Sequence, residues 1–279
     1  MSVSAKDVQE LRRRTGAGLM DCKKALVDAA GDQEEAIKLL KERGIAKAAK
    51  KGGREATEGV LVAVISDDQK KGALIEVNCE TDFVANTDEY KAFAKATAEH
   101  IFKKGFAAPA DLDEETENKI KEGIAKFGEN ILVNSIKKME TKGALFSYIH
   151  SNFKTGTMIG LESSGGNYTG AIEELGKDLA VHTTANQVVA ITEADIDPKI
   201  IEAKKNEYAE EVKASGKPAN IVEKIVSGKM SKFFKDETLF FQPFLKNEEI
   251  SVKEHVEAVG KKAGATITIS GFIKSTIGE

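Results

Sequence analysis

The chain has 279 residues, of which 41% are apolar and 31% charged, with a net charge of −4. Its apolar runs stop far short of the ~20 residues that span a bilayer, so no membrane association is expected. Two cysteines, Cys22 and Cys79, are too few for a disulfide framework, and the four scattered histidines pair with neither, which argues against a metal site.

The first residues carry no apolar or Arg-rich leader, so the expected location is the cytoplasm. Residues 1–54 hold 13 Lys/Arg against 8 Asp/Glu, a basic head on an acidic remainder. Such a head suits nucleic acid, an acidic patch on a protein partner, or plain solvent. Its pattern predicts three helices. Ser4 caps the first, with Val8 and Leu11 inward. The second carries Leu19, Cys22, Ala25 and Leu26 at helical spacing and ends at Gly31. Asp32-x-x-Glu35 opens the third, which is expected to stop at Gly44. Lys47 to Gly59 reads as a polar linker and domain boundary.

Beyond it the chain repeats itself. Gly59–Ile65 and Gly72–Val77 form a predicted β-hairpin, and Gly143–Ile149 and Gly156–Leu161 repeat it 84 residues on. Each hairpin leads to a helix, Thr87–Lys104 and then Thr169–Thr184, with His100 and His182 in corresponding places. Two copies of one α+β subdomain are predicted, with antiparallel sheets, over 55–142 and 143–279.

The second copy carries an insertion at about 197–235. Asp197-Pro198 starts a helix, Ser215-Gly-Lys-Pro218 turns, and a second helix brings Ile221, Ile225, Met230 and Phe233. The two must run antiparallel, as a helical hairpin or short coiled coil. It is either an arm for a partner or an arm for packing and dimerisation. Next come an extended Gln242-Pro-Phe-Leu245, a helix capped by Ser251-x-x-Glu254, and a final strand, Thr266–Ile273.

One connection is out of character. In Cys79-Glu-Thr-Asp-Phe-Val-Ala-Asn86, the large apolar Phe83 and Val84 stand between elements, where polar residues are expected. They either tuck under the core or present themselves to another molecule. At the 84-residue offset, Asp82 and Phe83 meet Gly166 and Asn167, so the fold does not need Asp-Phe there. That favours a functional role.

Catalytic signatures are missing. Gly16-Ala-Gly18 follows no strand and lacks the Lys-Ser/Thr of a phosphate loop, and no serine has a G-x-S-x-G setting. With no interleaving of basic and aromatic residues, single-strand binding is also poorly supported. A binding protein without a cofactor is expected, not an enzyme. An adaptor for nucleic acid or the ribosome, using Lys47, Lys50, Lys51 and Arg54, is the alternative.

Several stretches together resemble the bacterial translation elongation factor Ts family. They are Leu11-Arg-Arg-Arg-Thr-Gly-Ala-Gly-Leu-Met-Asp-Cys-Lys-Lys-Ala-Leu26, Glu76–Asn86, Gly128-Glu-Asn-Ile131, Tyr148-Ile-His150, Ala180-Val-His182, Gly228-Lys-Met-Ser-Lys-Phe233 and Gln242-Pro-Phe244. They occur in family order along nearly the whole chain. The resemblance implies a guanine-nucleotide exchange factor for elongation factor Tu, the GTPase that delivers aminoacyl-tRNA. It implies a three-helix head of ubiquitin-associated type (UBA-like), two related core subdomains and a protruding coiled coil.

It also implies site residues. Thr81, Asp82, Phe83 and Val84 would press between helices beside the nucleotide and dislodge Mg²⁺, an ion that tolerates little departure from octahedral geometry. Leu19, Met20 and Lys23 of the head would add contacts, as would Phe127, Gly128, His150 and Leu245. Members that continue into a C-terminal helical module have a further contact, expected to be missing here. Asn86 stands where a lysine is common, so no ion pair is carried over to it.

Overall fold

The structure, a computed structural model, describes residues 3–278 apart from Lys50 and 215–218. The predicted Ser215–Pro218 turn therefore lies outside the described residues.

The head is built from α1 (Ala5–Thr15), α2 (Leu19–Asp28) and α3 (Gln33–Ala49). Ser4 and Asp7 form a reciprocal cap on α1, and Val8, Leu11, Cys22, Ala25 and Leu26 bury together. The expected stop at Gly44 is wrong: α3 runs on to Ala49, so residues 47–49 belong to a helix and not to a linker. The reason is packing. A Cβ at Gly44 would lie 2.8 Å from that of Ala125, so this glycine lets α3 pass close to a neighbouring helix instead of ending it.

The body has two matching halves. The first is β1 (Glu58–Ile65), β2 (Lys71–Cys79), α4 (Asp82–Ala85), α5 (Asp88–Lys104), α6 (Glu114–Phe127) and β3 (Leu132–Glu140). The second is β4 (Ala144–Ile149), β5 (Thr155–Ser163), α7 (Ala171–Ala185), α8 (Pro198–Ala214), α9 (Ala219–Glu237), β6 (Pro243–Phe244), β7 (Asn247–Ser251), α10 (Val252–Ala263) and β8 (Ile267–Thr276). Each half has a three-stranded antiparallel sheet, β1-β2-β3 and β4-β5-β8.

The repeat holds at atomic register. Val60 faces Val77 in the first hairpin, and Ala144 faces Leu161 in the second, each partner 84 residues further on. The β2–β3 ladder slips between Glu76 and Val77, and the β5–β8 ladder slips between Gly160 and Leu161, again 84 residues later. The left-handed caps Gly128 and Gly264 close α6 and α10 at matching points. The sequence places α10 and the final strand of the second half, but not their match to α6 and β3 of the first, because the insertion of α8 and α9 shifts the spacing from 84 to 136.

The glycines that open each hairpin follow the same rule. A Cβ at Gly59 would come 2.3 Å from the Val77 carbonyl oxygen, and one at Gly143 would come 1.9 Å from that of Leu161. Gly143→Ala is expected to cost roughly 1–3 kcal/mol, as overpacking does, read as a lower unfolding midpoint. An unchanged midpoint would mean that the strands part there freely.

The layers run helix, sheet, sheet, helix. Helices α5 and α6 cover the outside of the first sheet through Tyr90, Ala94, Ile101, Ile120 and Ile124. Helices α7 and α10 cover the second through Ile172, Leu175, Leu179 and Val256. Between the sheets lie Leu61, Leu74, Leu145 and Met158. Strand β2 is therefore buried on both faces from Gly72 to Cys79, which explains the apolar Gly72–Ile75 run and leaves Glu76 and Asn78 buried with it.

Helices α8 and α9 pack on each other. Lys229 pairs with Glu211 at 2.5 Å and lies over the Tyr208 ring. Val212, Val226, Met230 and Phe233 bury between them and the 189–196 segment. Ile221, one of the apolar residues that mark the second helix in the sequence, is exposed, and Val222 takes the inner position.

Candidate partner interface

The Cys79–Asn86 connection is not an open loop. Its centre is a single helical turn, α4, capped by Thr81, whose hydroxyl accepts from the Val84 N–H at 3.3 Å. Val84 and Ala85 pack down on the first core. The same turn aims Phe83 outward, where 83% of its surface is exposed, the largest value among the described large apolar side chains. The two side chains therefore part: Val84 tucks under the core and Phe83 points away from it.

A reciprocal pair of carboxylates holds this turn. Glu129, just past α6, accepts from the Thr81 N–H at 3.0 Å and from the Thr81 hydroxyl at 2.6 Å. Glu80 accepts from the Asn130 N–H at 2.6 Å. Beneath, Phe127 meets Tyr90 and Phe93 edge-on, with centroids at 5.3 and 5.5 Å, so its ring is half-buried in the core. Gly128 is exposed beside it. Sequence reading quoted Glu129 without giving it a role. Its signal was the acidic residue one place after a helix-ending glycine.

The β4–β5 turn borders this ledge. Lys154 binds Glu58 at 2.7 Å, and that bond holds its ammonium pKa above the usual value, with the Asp82 carboxylate adding to the effect. Lys91 of α5 lies 4.7 Å from the Phe153 ring centre. Phe153 has φ +59°, a left-handed conformation rare for a bulky residue. His150 is exposed on the same turn and its Nδ1 contacts the Tyr148 hydroxyl at 3.2 Å.

The head joins through α6. Lys41 pairs with Glu122 at 2.7 Å, and Lys126 approaches Glu89 at 3.9 Å. Arg14, Gly16, Glu89 and Lys126 line one surface hollow, which sets the α1–α2 turn beside the start of α5. Leu19 and Met20 are exposed at the start of α2, Met20 at 72%, and Lys23 is exposed one turn on. Leu245 stands apart, exposed on the turn between β6 and β7.

That turn depends on a buried histidine. The Leu245 N–H donates to Nδ1 of His182 at 3.2 Å, so the ring hydrogen sits on Nε2 and donates to Gln242 Oε1 at 2.9 Å. Burial lowers the pKa of His182 below its ordinary 6.5, opposed by the Gln242 bond. Burial does the same to His255, which stacks on Phe244 at 4.0 Å. Both histidines take up a proton more readily once unfolded. Their contribution to stability is full above pH 6.5 and drains as pH falls through the lowered folded values. The unfolding midpoint should therefore drop between pH 7.5 and 5, and His182→Gln should flatten that slope. An equal slope in the variant would clear His182.

Other chemistry is poorly served. Burial pushes the Cys79 thiol up to about 11, the opposite of an activated nucleophile. Among the described residues no cluster of His, Cys, Asp and Glu could hold a metal ion, and no helix is long and apolar enough to cross a membrane. Two basic residues of the adaptor alternative are engaged within the chain: half-buried Lys51 bonds the Gly128 carbonyl, and Arg54, itself exposed, approaches Glu80 at 3.4 Å. Lys50 lies outside the described residues.

Comparison with known proteins gives a consistent result. A family model described as elongation factor Ts matches residues 80–279. A protein described as elongation factor Ts from a Nitratiruptor species is 39% identical over 287 residues, covering 100% of this chain and 94% of its own length. One of the same description from Halothermothrix orenii is 39% identical, covering 100% and 93%. Another from Aquifex aeolicus is 37% identical, covering 100% and 99%.

Proposed function

The chain belongs to the elongation factor Ts family, and on that premise we propose that it is a guanine-nucleotide exchange factor for elongation factor Tu in translation elongation. It binds the GDP-bound GTPase, disturbs the Mg²⁺ site with the Asp82–Phe83 turn, and holds the nucleotide-free state until GTP arrives. No covalent bond changes, so the protein is a binding partner and not an enzyme. Its place of work is the cytoplasm.

The observation that carries this reading is Phe83, a large apolar side chain 83% exposed on a turn bonded at its start through Thr81 and packed on the core through Val84 and Ala85. An exposed Phe on a braced turn loses little freedom on docking and gains its whole burial. Mg²⁺ in nucleotide sites keeps several waters and few protein ligands, so a small displacement of one element weakens it. Thr81 shapes the turn, Asp82 and Phe83 enter, and Val84 anchors. Leu19, Met20, Lys23, Gly128, His150 and Leu245 widen the contact, with the edge of Phe127 beneath. In this reading the head, 1–54, is UBA-like and pairs Lys23 with an acidic group. The α8–α9 arm is a coiled coil inserted in the second core unit.

The test is release of a fluorescent GDP analogue from elongation factor Tu with and without this protein. Strong acceleration is expected. Because coupling is reciprocal, GDP and Mg²⁺ must weaken the complex in turn. Tight binding indifferent to both would contradict the proposal.

A further inference from the structure

We propose that Glu129 is a positioning residue for exchange: it fixes the Thr81–Ala85 turn so that Phe83 is presented in one orientation. This rests on the exchange reading above.

The argument comes from comparing the two halves. Glu80 and Ser164 are equivalent, 84 residues apart, as are Asn130 and Thr266 at the 136-residue spacing of the later elements. In the first half the Asn130 N–H donates to the Glu80 carboxylate at 2.6 Å. In the second the Thr266 N–H donates to the Ser164 hydroxyl at 3.0 Å. This link ties the end of the second strand to the start of the third in both halves, so the fold itself uses it.

The other link has no twin. Thr81 corresponds to Gly165 and Glu129 to Ala265, which have no side-chain polar atoms to join. The second half makes the same sheet and cap there without any bond of this kind, and its connection to α7 contains no helical turn. The Thr81–Glu129 bonds occur only where an exposed aromatic must be held. A four-residue helix with one capping bond is too short to hold itself. Two charge-assisted bonds from a single carboxylate, to a backbone N–H and to the capping hydroxyl, remove its freedom to swing.

Releasing the turn should leave Phe83 competent in only a fraction of molecules, and apparent affinity falls by that fraction. Glu129→Ala is expected to lower the second-order rate of stimulated GDP release about tenfold, with most of the loss recovered at saturating protein. In a Phe83→Ala background the same change should do nothing further. An equal loss in both backgrounds would mean that Glu129 touches the GTPase directly, and the positioning role would fall.

A second measurement needs no GTPase. The chain has no tryptophan, so Phe83→Trp installs a single tryptophan on the turn, excited selectively at wavelengths that its tyrosines do not absorb. Glu129→Ala in that background should lower its anisotropy while the far-ultraviolet spectrum stays unchanged. Unchanged anisotropy would overturn the proposal, even if exchange falls. A wild type that fails to stimulate release would sink the exchange reading alone, and the anisotropy would still decide whether Glu129 fixes the turn.

Discussion

Phe83→Ala should cut stimulated GDP release roughly tenfold to just over a hundredfold and leave the unfolding midpoint almost unmoved. Burying a phenylalanine is worth about 1.5–3 kcal/mol, and about 1.4 kcal/mol is a factor of ten. Phe83 has nearly all of that to gain, since 83% of its surface is exposed in the free protein. For the same reason the folded chain has little to lose, and surface changes of this kind usually stay within ~0.5 kcal/mol. Paired stopped-flow and thermal measurements on one preparation separate the two quantities. A midpoint that falls by several degrees while exchange persists would return Phe83 to a structural role.

The largest loss of stability should come from Leu74→Ala. Leu74 is fully buried between the two sheets beside Leu61, Leu145 and Met158. Removing its side chain leaves a cavity that neither sheet can close, because each is already clamped by helices on its other face. Such changes cost about 2–5 kcal/mol. At on the order of 2–4 °C per kcal/mol, the midpoint should fall by about 4–20 °C. Denaturant unfolding reads the same loss directly. A cost below ~1 kcal/mol would mean that the two halves are held together mainly by their rims and not by this layer.

Much of the fold was legible because local signals and burial agree. The hairpins announced themselves through glycine-flanked apolar runs, and their 84-residue echo survives to the hydrogen-bond register. Ser4 and Ser251 cap where a short polar side chain three residues before an acid should cap. The misreadings have one physical cause, that a residue's partner lies elsewhere in the chain. Gly44 looks like a stop until Ala125 is beside it. Ile221 and Val222 are equally apolar, and only the facing helix decides which is covered. At the site, sequence reading named Thr81 and Phe83 but gave Glu129 no role, because it lies 48 residues from the threonine that it holds.

The matched halves have a consequence for what a single chain can do. A symmetric dimer of one such unit would carry the same loops at both ends, and any change would appear twice. Joined in one chain, the two units are free to diverge. The first has a short span between its helices and carries the exposed Phe83 on a helical turn at the exit of its second strand. The second left that exit plain and grew a long arm between its helices. One repeated scaffold thus carries two different elaborations, each at a loop that the other copy leaves plain.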